Sequence, residues 1–137
     1  MDRSCTVYQT GSTITYTYSI TSASISNLTW DYNKTDYKQV TATGTVTRYK
    51  SVNGGTATSD GTLSGCTFTV SGVTVSGSNF TVNGTNVKPS GANTTSSDKT
   101  GTISATVKAT KSGYTISGSK SVTATAKQTY KLFTVNP

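Results

Sequence analysis

Apolar and hydroxyl side chains alternate along this chain with a period of two, and that pattern excludes most architectures. In TITYTYSI, Ile14, Tyr16, Tyr18 and Ile20 fall on one side of an extended backbone, and Thr13, Thr15, Thr17 and Ser19 on the other. Successive side chains of a strand point to opposite faces, so such a stretch buries one face and wets the other. QVTATGTVTRYKS repeats the arrangement, with Val40, Ala42, Gly44 and Val46 set against Thr41, Thr43, Thr45 and Thr47. TISATVKAT aligns Ile103, Ala105, Val107 and Ala109, and KSVTATAK aligns Val122, Ala124 and Ala126. CTFTV aligns Cys66, Phe68 and Val70, but Val73 and Val75 follow in the opposite phase. That phase change predicts a bulge, kink or tight turn at Ser71–Gly72. YKLFTV reads as a last short strand, and no helical period occurs anywhere.

Turn chemistry separates these runs: Asn53-Gly54-Gly55, Asp60-Gly61, Ser64-Gly65, Asn83-Gly84, Pro89-Ser90-Gly91 and Ser112-Gly113. Asn83-Gly84 predicts a tight hairpin between Phe80–Val82 and Asn86–Lys88. Many short strands without helices mean an all-β sandwich or barrel, paired antiparallel with one solvated face.

The apolar supply is small. Leu, Ile, Val and Phe total 23 of 137 residues, under the roughly 20% level at which disorder comes into question. Strict patterning and a modest net charge of +7 argue for a folded chain, with Thr as the β-branched filler of exposed faces. One domain suits this length. Trp30, the only Trp, reads as a core anchor. The small residues Ala42, Gly44, Ala105, Ala109 and Ala124 on inward faces let sheets approach or leave room for aromatic rings.

The residues that carry chemistry are scarce. There is no His, no Glu, and five Asp: Asp2, Asp31, Asp36, Asp60 and Asp98. Asp31 and Asp36 in WDYNKTDY are close enough in sequence to suggest a carboxylate pair, but the stretch reads as a surface turn. A calcium loop there would want more carboxylates. Cys5 and Cys66 lie far apart, and without His no zinc site is expected. Two reduced, partly buried thiols are favoured over one disulfide. The reading is therefore a protein that is not an enzyme, with no cofactor and no metal. The cations are spread along the chain, which gives no nucleic-acid signature. Lys108, Lys111, Lys120 and Lys127 gather on one sheet region in this reading, as edge protection or as a docking face for an acidic partner. No stretch approaches the roughly 18–20 apolar residues of a membrane span. Asn-x-Thr triplets at Asn27, Asn33, Asn79, Asn83 and Asn93 follow from the Thr content, and no glycan is assigned to them.

The segment SNFTVNGTNVKPSGANTTSSDKTGTISATVKATKSG (Ser78–Gly113) has a distinctive order: a Phe–Thr–Val strand, a Lys–Pro turn, an Asn–Thr–Thr loop and an alternating strand. With LTWDYNKTDYKQVTATGTV before it and SGSKSVTATAKQ after it, the chain resembles the immunoglobulin-like domains of Bacteroidetes proteins and their phages, crAss-like gut phages included. The resemblance spans roughly residues 27–128. It implies an immunoglobulin-like antiparallel β-sandwich of about seven to nine strands. It departs from antibody-type domains, because the two Cys do not bracket the Trp at the spacing of an inter-sheet bridge. The family offers no motif by which binding residues could be mapped.

The resemblance also bears on the opening MDRSCTVYQTGSTITYTYSI. Its longest apolar run is two residues, too short for the roughly 7–15-residue core of an export signal. A virion protein is made in the host cytoplasm and needs no such signal. With Met1 as the native start, the expected role is a decoration protein on a capsid exterior, located in the virion. Its partner is the major capsid protein or another virion protein, with weak adhesion to glycans or the host surface and a symmetric oligomer on the particle. No nucleic acid or membrane is implied. The expected layout is a single domain over residues 1–137, with docking arms at 1–12 and 129–137 carrying Arg3, Tyr8, Lys131, Leu132 and Phe133. The alternative is a glycan- or protein-binding module of a Bacteroidetes cell-surface protein, with sugar rings stacking on Tyr32, Tyr37, Tyr49 and Tyr114.

Overall fold

The alternating runs become strands. The computed structural model describes residues 13–131 and contains eleven β-strands and, among the described residues, no helix. They are β1 (Ile14–Ile25), β2 (Leu28–Trp30), β3 (Lys38–Gln39), β4 (Ala42–Val52), β5 (Thr58–Thr62), β6 (Thr67–Val75), β7 (Phe80–Asn83), β8 (Asn86–Pro89), β9 (Lys99–Thr110), β10 (Ile116–Ser117) and β11 (Lys120–Gln128). Eleven is more than the expected seven to nine, because three of them, β2, β3 and β10, are two- or three-residue strands too short to carry a pattern. One four-stranded sheet runs β10-β1-β4-β5, a second β2-β11-β9-β6, and a three-stranded sheet β3-β8-β7. The four-stranded sheets stack as a sandwich, β1 against β11 and β4 against β6.

Two pairings depart from the antiparallel expectation. β2 joins β11 in parallel, and β10 joins β1 in parallel. Both arise where the chain changes sheets, a device by which sandwiches turn corners. After β1 the backbone bends at Ser26–Asn27 and enters the second sheet as β2. The Asn27 side chain fixes that corner by accepting from Thr125 N–H at 2.9 Å. After β9 the chain crosses to the first sheet as β10 and returns as β11.

The core fills the space between the layers. Ile20 and Val46 enter from the first sheet, and Ile103, Ala105, Val107 and Val122 from the second. Trp30 is buried, as expected of an anchor, with its Nε1–H donating to Asp36 O at 2.8 Å. Its ring lies 5.5 Å from that of Phe80, centroid to centroid. Small residues matter most at Gly44: a Cβ there would sit 2.5 Å from Ser22 O and 2.9 Å from Phe68 Cε1.

Local expectations meet the structure unevenly. The phase change in β6 is a bulge, with Gly72 at φ 63° and the register shifting between Ser71 and Thr74. The hairpin of β7 and β8 forms, but Asn83 ends its strand opposite Asn86, so the turn is Gly84–Thr85. Gly84 at φ 64° in the first turn position fits a type II′ turn. Asp60-Gly61 does not end a strand. It lies inside β5, where Gly61 at φ 95° absorbs an extra residue opposite β4. In YKLFTV, Tyr130 and Lys131 lie outside any strand, and the remainder falls outside the described residues.

A buried polar staple holds the loops at the Trp30 end. Asn93 Nδ2 donates to Ser97 O at 2.9 Å and Gln128 O at 3.1 Å, while its Oδ1 accepts from Thr95 N–H at 2.9 Å. Gln128 Nε2 donates to the carbonyls of Tyr32 and Lys34, each at 3.2 Å. Neither side chain was singled out for this role from sequence, because Asn and Gln in a Thr-rich chain read as surface.

Candidate functional site

The inward face of β1 does not stay inward. Ile20 is 4% exposed, but Tyr16 is 42% and Ile14 45% exposed. Across the ladder, Val46 is buried opposite Ile20, while Val52 is exposed opposite Ile14. The β1/β4 pair thus overshoots the second sheet and shows part of its apolar face at one end of the sandwich. Period two gives the side of a strand, and the facing layer decides whether that side is covered.

The turn after β9 brings Tyr114 to this end. Its ring meets Tyr18 edge-on, with centroids 5.1 Å apart and planes at 86°. Tyr16, Thr17, Tyr18, Gly113, Tyr114, Thr115 and Ser117 line an open groove of about 560 Å³. Cations flank it. The Arg48 guanidinium lies 4.8 Å from the Tyr16 centroid and pairs with Asp60 at 2.8 Å. Lys111 Nζ lies 5.2 Å from the Tyr114 centroid and donates to Ser64 O at 2.6 Å. Ser117 Oγ donates to Tyr18 O at 3.1 Å. The groove therefore combines aromatic faces with hydroxyls, and among the described residues it has no carboxylate in its lining.

A larger depression, about 790 Å³, lies over the loop between β2 and β3 and is lined by Asp31, Asn33, Lys34, Thr35, Asp36 and Lys38, among others. Asp31 O accepts from Lys34 N–H at 3.0 Å, which makes the stretch a turn, as expected. The two Asp share the depression with two Lys, and its aromatic, Trp30, is buried beneath the Lys38 ammonium. Among the described residues no three metal-ligating side chains converge. The tyrosine groove is smaller but chemically better suited to a ligand.

The sequence-derived candidates disperse. Arg3, Tyr8, Leu132 and Phe133 lie outside the described residues. Lys131 is exposed, with its Nζ 5.6 Å from the Tyr32 ring centroid. The segment after Gln128 begins tied down: Thr129 N–H donates to Trp30 O at 2.9 Å and Tyr130 N–H to Asp98 Oδ1 at 3.1 Å. The four expected tyrosines do not share a patch. Tyr114 joins Tyr16 and Tyr18, Tyr32 and Tyr37 sit in the β2–β3 loop, and Tyr49 faces away from Arg48 on the other side of β4. The lysines do not gather either. Lys127 pairs with Thr100 and Lys108 with Thr69 on the outer face, eight residues apart along β9, roughly 26 Å at strand rise. Lys120 lies opposite Val107, on the inner face. Cys66 is a half-buried free thiol that contacts Leu63 O at 3.5 Å, and Cys5 falls outside the described residues.

Comparison of the chain with family models, with curated proteins and with solved structures finds no match.

Proposed function

We propose that this protein is a non-catalytic adhesion module, an immunoglobulin-like decoration protein of a bacteriophage capsid exterior that grips glycans weakly. The observation that carries the reading is the groove at the open end of the sandwich, where Tyr16, Tyr18 and Tyr114 stand beside Thr115 and Ser117. A pyranose ring has an apolar C–H face and a rim of hydroxyls. It stacks on an aromatic face and exchanges hydrogen bonds with hydroxyl and cationic side chains. The resemblance to phage immunoglobulin-like domains supports the virion setting, and the net charge of +7 suits an acidic shell. An open groove gives low affinity per site, and many copies on one particle convert it to useful avidity.

Two measurements test the proposal. In the native source, sedimentation with peptide mass spectrometry should find the protein on large icosahedral particles at a fixed copy number. Finding it only within a longer membrane-anchored chain would select the cell-surface module instead. Purified protein should be retarded on immobilised mucin-type glycans, and Tyr16→Ala should abolish the retardation.

A further inference from the structure

We infer that two copies of the protein pair through the open edge of β1, with the two-fold axis at Thr15. Along this edge β10 covers only Tyr18 and Ser19, so among the described residues Ile14–Thr17 has a strand on one side only. An unpaired edge is ordinarily blunted by a charge, a proline, a bulge or a cover. β6 is bulged at Ser71–Gly72 and β5 at Gly61, β7 runs beside β6, and β2, β3 and β10 have three residues or fewer. Ile14–Thr17 carries no charge or proline, the strand's bulge comes only after Ile20, and among the described residues only the Gly113–Thr115 turn stands beside Tyr16 and Thr17, across the open groove.

The backbone directions fix the register. Asn53 N–H donates to Thr13 O at 2.7 Å, and Thr13 N–H donates to Asn53 Oδ1 at 2.9 Å, so both main-chain groups of Thr13 face β4. Directions alternate along a strand. Thr15 and Thr17 therefore face β4 too, and Ile14 and Tyr16 direct their N–H and C=O groups to the open edge. Tyr18 follows the same parity, its carbonyl accepting from Ser117 Oγ on the β10 side.

A second β1, antiparallel and centred on Thr15, places Ile14 opposite the partner's Tyr16 and Tyr16 opposite the partner's Ile14. Both are hydrogen-bonded pairs, so four N–H···O bonds form and all four edge groups of each copy are used. Thr15 then faces the partner's Thr15, and Thr13 the partner's Thr17. Every pair is aliphatic–aromatic or Thr–Thr, which are favourable cross-strand combinations, and no charge opposes another. Centring on Tyr16 would require the edge of Tyr18, which β10 occupies. Centring on Ile14 would run past the start of β1. The Thr15 register also joins the apolar strips of the two copies, and the partner's Thr13 and Ile14 enter each tyrosine groove beside Thr17 and Tyr16.

Pairing of two such short strands buries less than the roughly 1,200 Å² of a stable interface. The association is therefore weak in solution and strengthened where copies are concentrated on a surface. It rests on the strand edge and needs no groove ligand, which would compete with the partner strand for Tyr16 and Thr17. The test uses the full chain with Cys5→Ser and Cys66→Ser. Thr15 sits opposite itself in a non-hydrogen-bonded pair, with Cα atoms about 4.5 Å apart, within disulfide range. With oxidised glutathione, Thr15→Cys should form a covalent dimer and Thr17→Cys should not. Sedimentation velocity up to millimolar protein should show a mass that rises with concentration, and Ile14→Pro should remove the rise. That proline deletes an N–H from the open edge and leaves the β4 ladder intact, which its thermal unfolding verifies. A monomeric mass throughout, or equal cross-linking of the two Cys variants, would overturn the proposal.

Discussion

Tyr114 reaches Tyr18 from a turn nearly a hundred residues later in the chain and meets it edge to face, 5.1 Å between centroids. Such pairs contribute about 0.5–1.5 kcal/mol beyond their buried area. Tyr114→Ala should lower stability by at least about 0.5–1.5 kcal/mol and widen the groove. Denaturant unfolding reads the first effect and glycan retardation the second. If the groove is the binding site, binding should fall far more than stability. Equal losses would mean that the ring serves packing alone.

Gly44 of the first sheet packs directly under the Phe68 ring of the second. Any side chain there meets Ser22 O and the Phe68 ring, and only the ring can move. Gly44→Ala should destabilise the protein by about 1–3 kcal/mol, the usual range for overpacking. Gly101→Ala should behave alike, since its Cβ would meet Val75 Cγ1 at 2.7 Å and Ser76 O at 3.0 Å. Urea midpoints for the two variants check this, and a midpoint at the wild-type value for either would show that its neighbours yield freely.

These two glycines also show what a sequence can and cannot reveal. Gly44 was legible as a small residue on an inward face, because period two assigns faces without knowledge of the partner layer. The bulge at Gly72 was legible for the same reason, since a phase change in a strand has few physical explanations. Exposure of Tyr16 was not legible, because it depends on where the opposite sheet stops. Nor was the Tyr18–Tyr114 contact, which follows from the parallel docking of a two-residue strand, β10, with too few residues to carry a pattern. The Asp60-Gly61 turn failed because Gly at positive φ serves bulges inside strands as well as turns between them.

The Asn93 staple should be costly to break. Asn93 is 1% exposed, and its side chain satisfies the carbonyls of Ser97 and Gln128 and the N–H of Thr95. Asn93→Ala takes this donor from the carbonyl of buried Gln128 and frees the exposed loop at Thr95 and Ser97, so a loss of roughly 1–3 kcal/mol is expected. Trp30, the only Trp, packs at the same end of the sandwich, so its fluorescence reports the effect directly. The native emission should be blue-shifted and resist quenching by iodide, and Asn93→Ala should open it to the quencher before global unfolding. Unchanged quenching would separate the staple from the Trp30 environment.

Asn53 is the one non-Gly residue with positive φ among the described residues, at 53°, and Gly54 follows at 73°. Two such residues in succession, with Gly55 N–H donating to Val52 O at 3.0 Å, make a type I′ turn. Asn53 has two roles: it tolerates the left-handed conformation, and its Oδ1 accepts from Thr13 N–H. Substitutions separate them. Asn53→Gly keeps the turn and loses only the acceptor, an exposed bond that contributes about 0.5–1.5 kcal/mol. Asn53→Ala loses the acceptor and adds the left-handed penalty of about 1–2 kcal/mol. Unfolding free energies should therefore fall in the order wild type, Gly, Ala. In the same variants, amide exchange at Thr15, whose N–H faces β4, should quicken in parallel, since Thr13 anchors the start of β1. Equal stabilities for Asn53→Gly and Asn53→Ala would show that the turn relaxes out of the left-handed region at no cost.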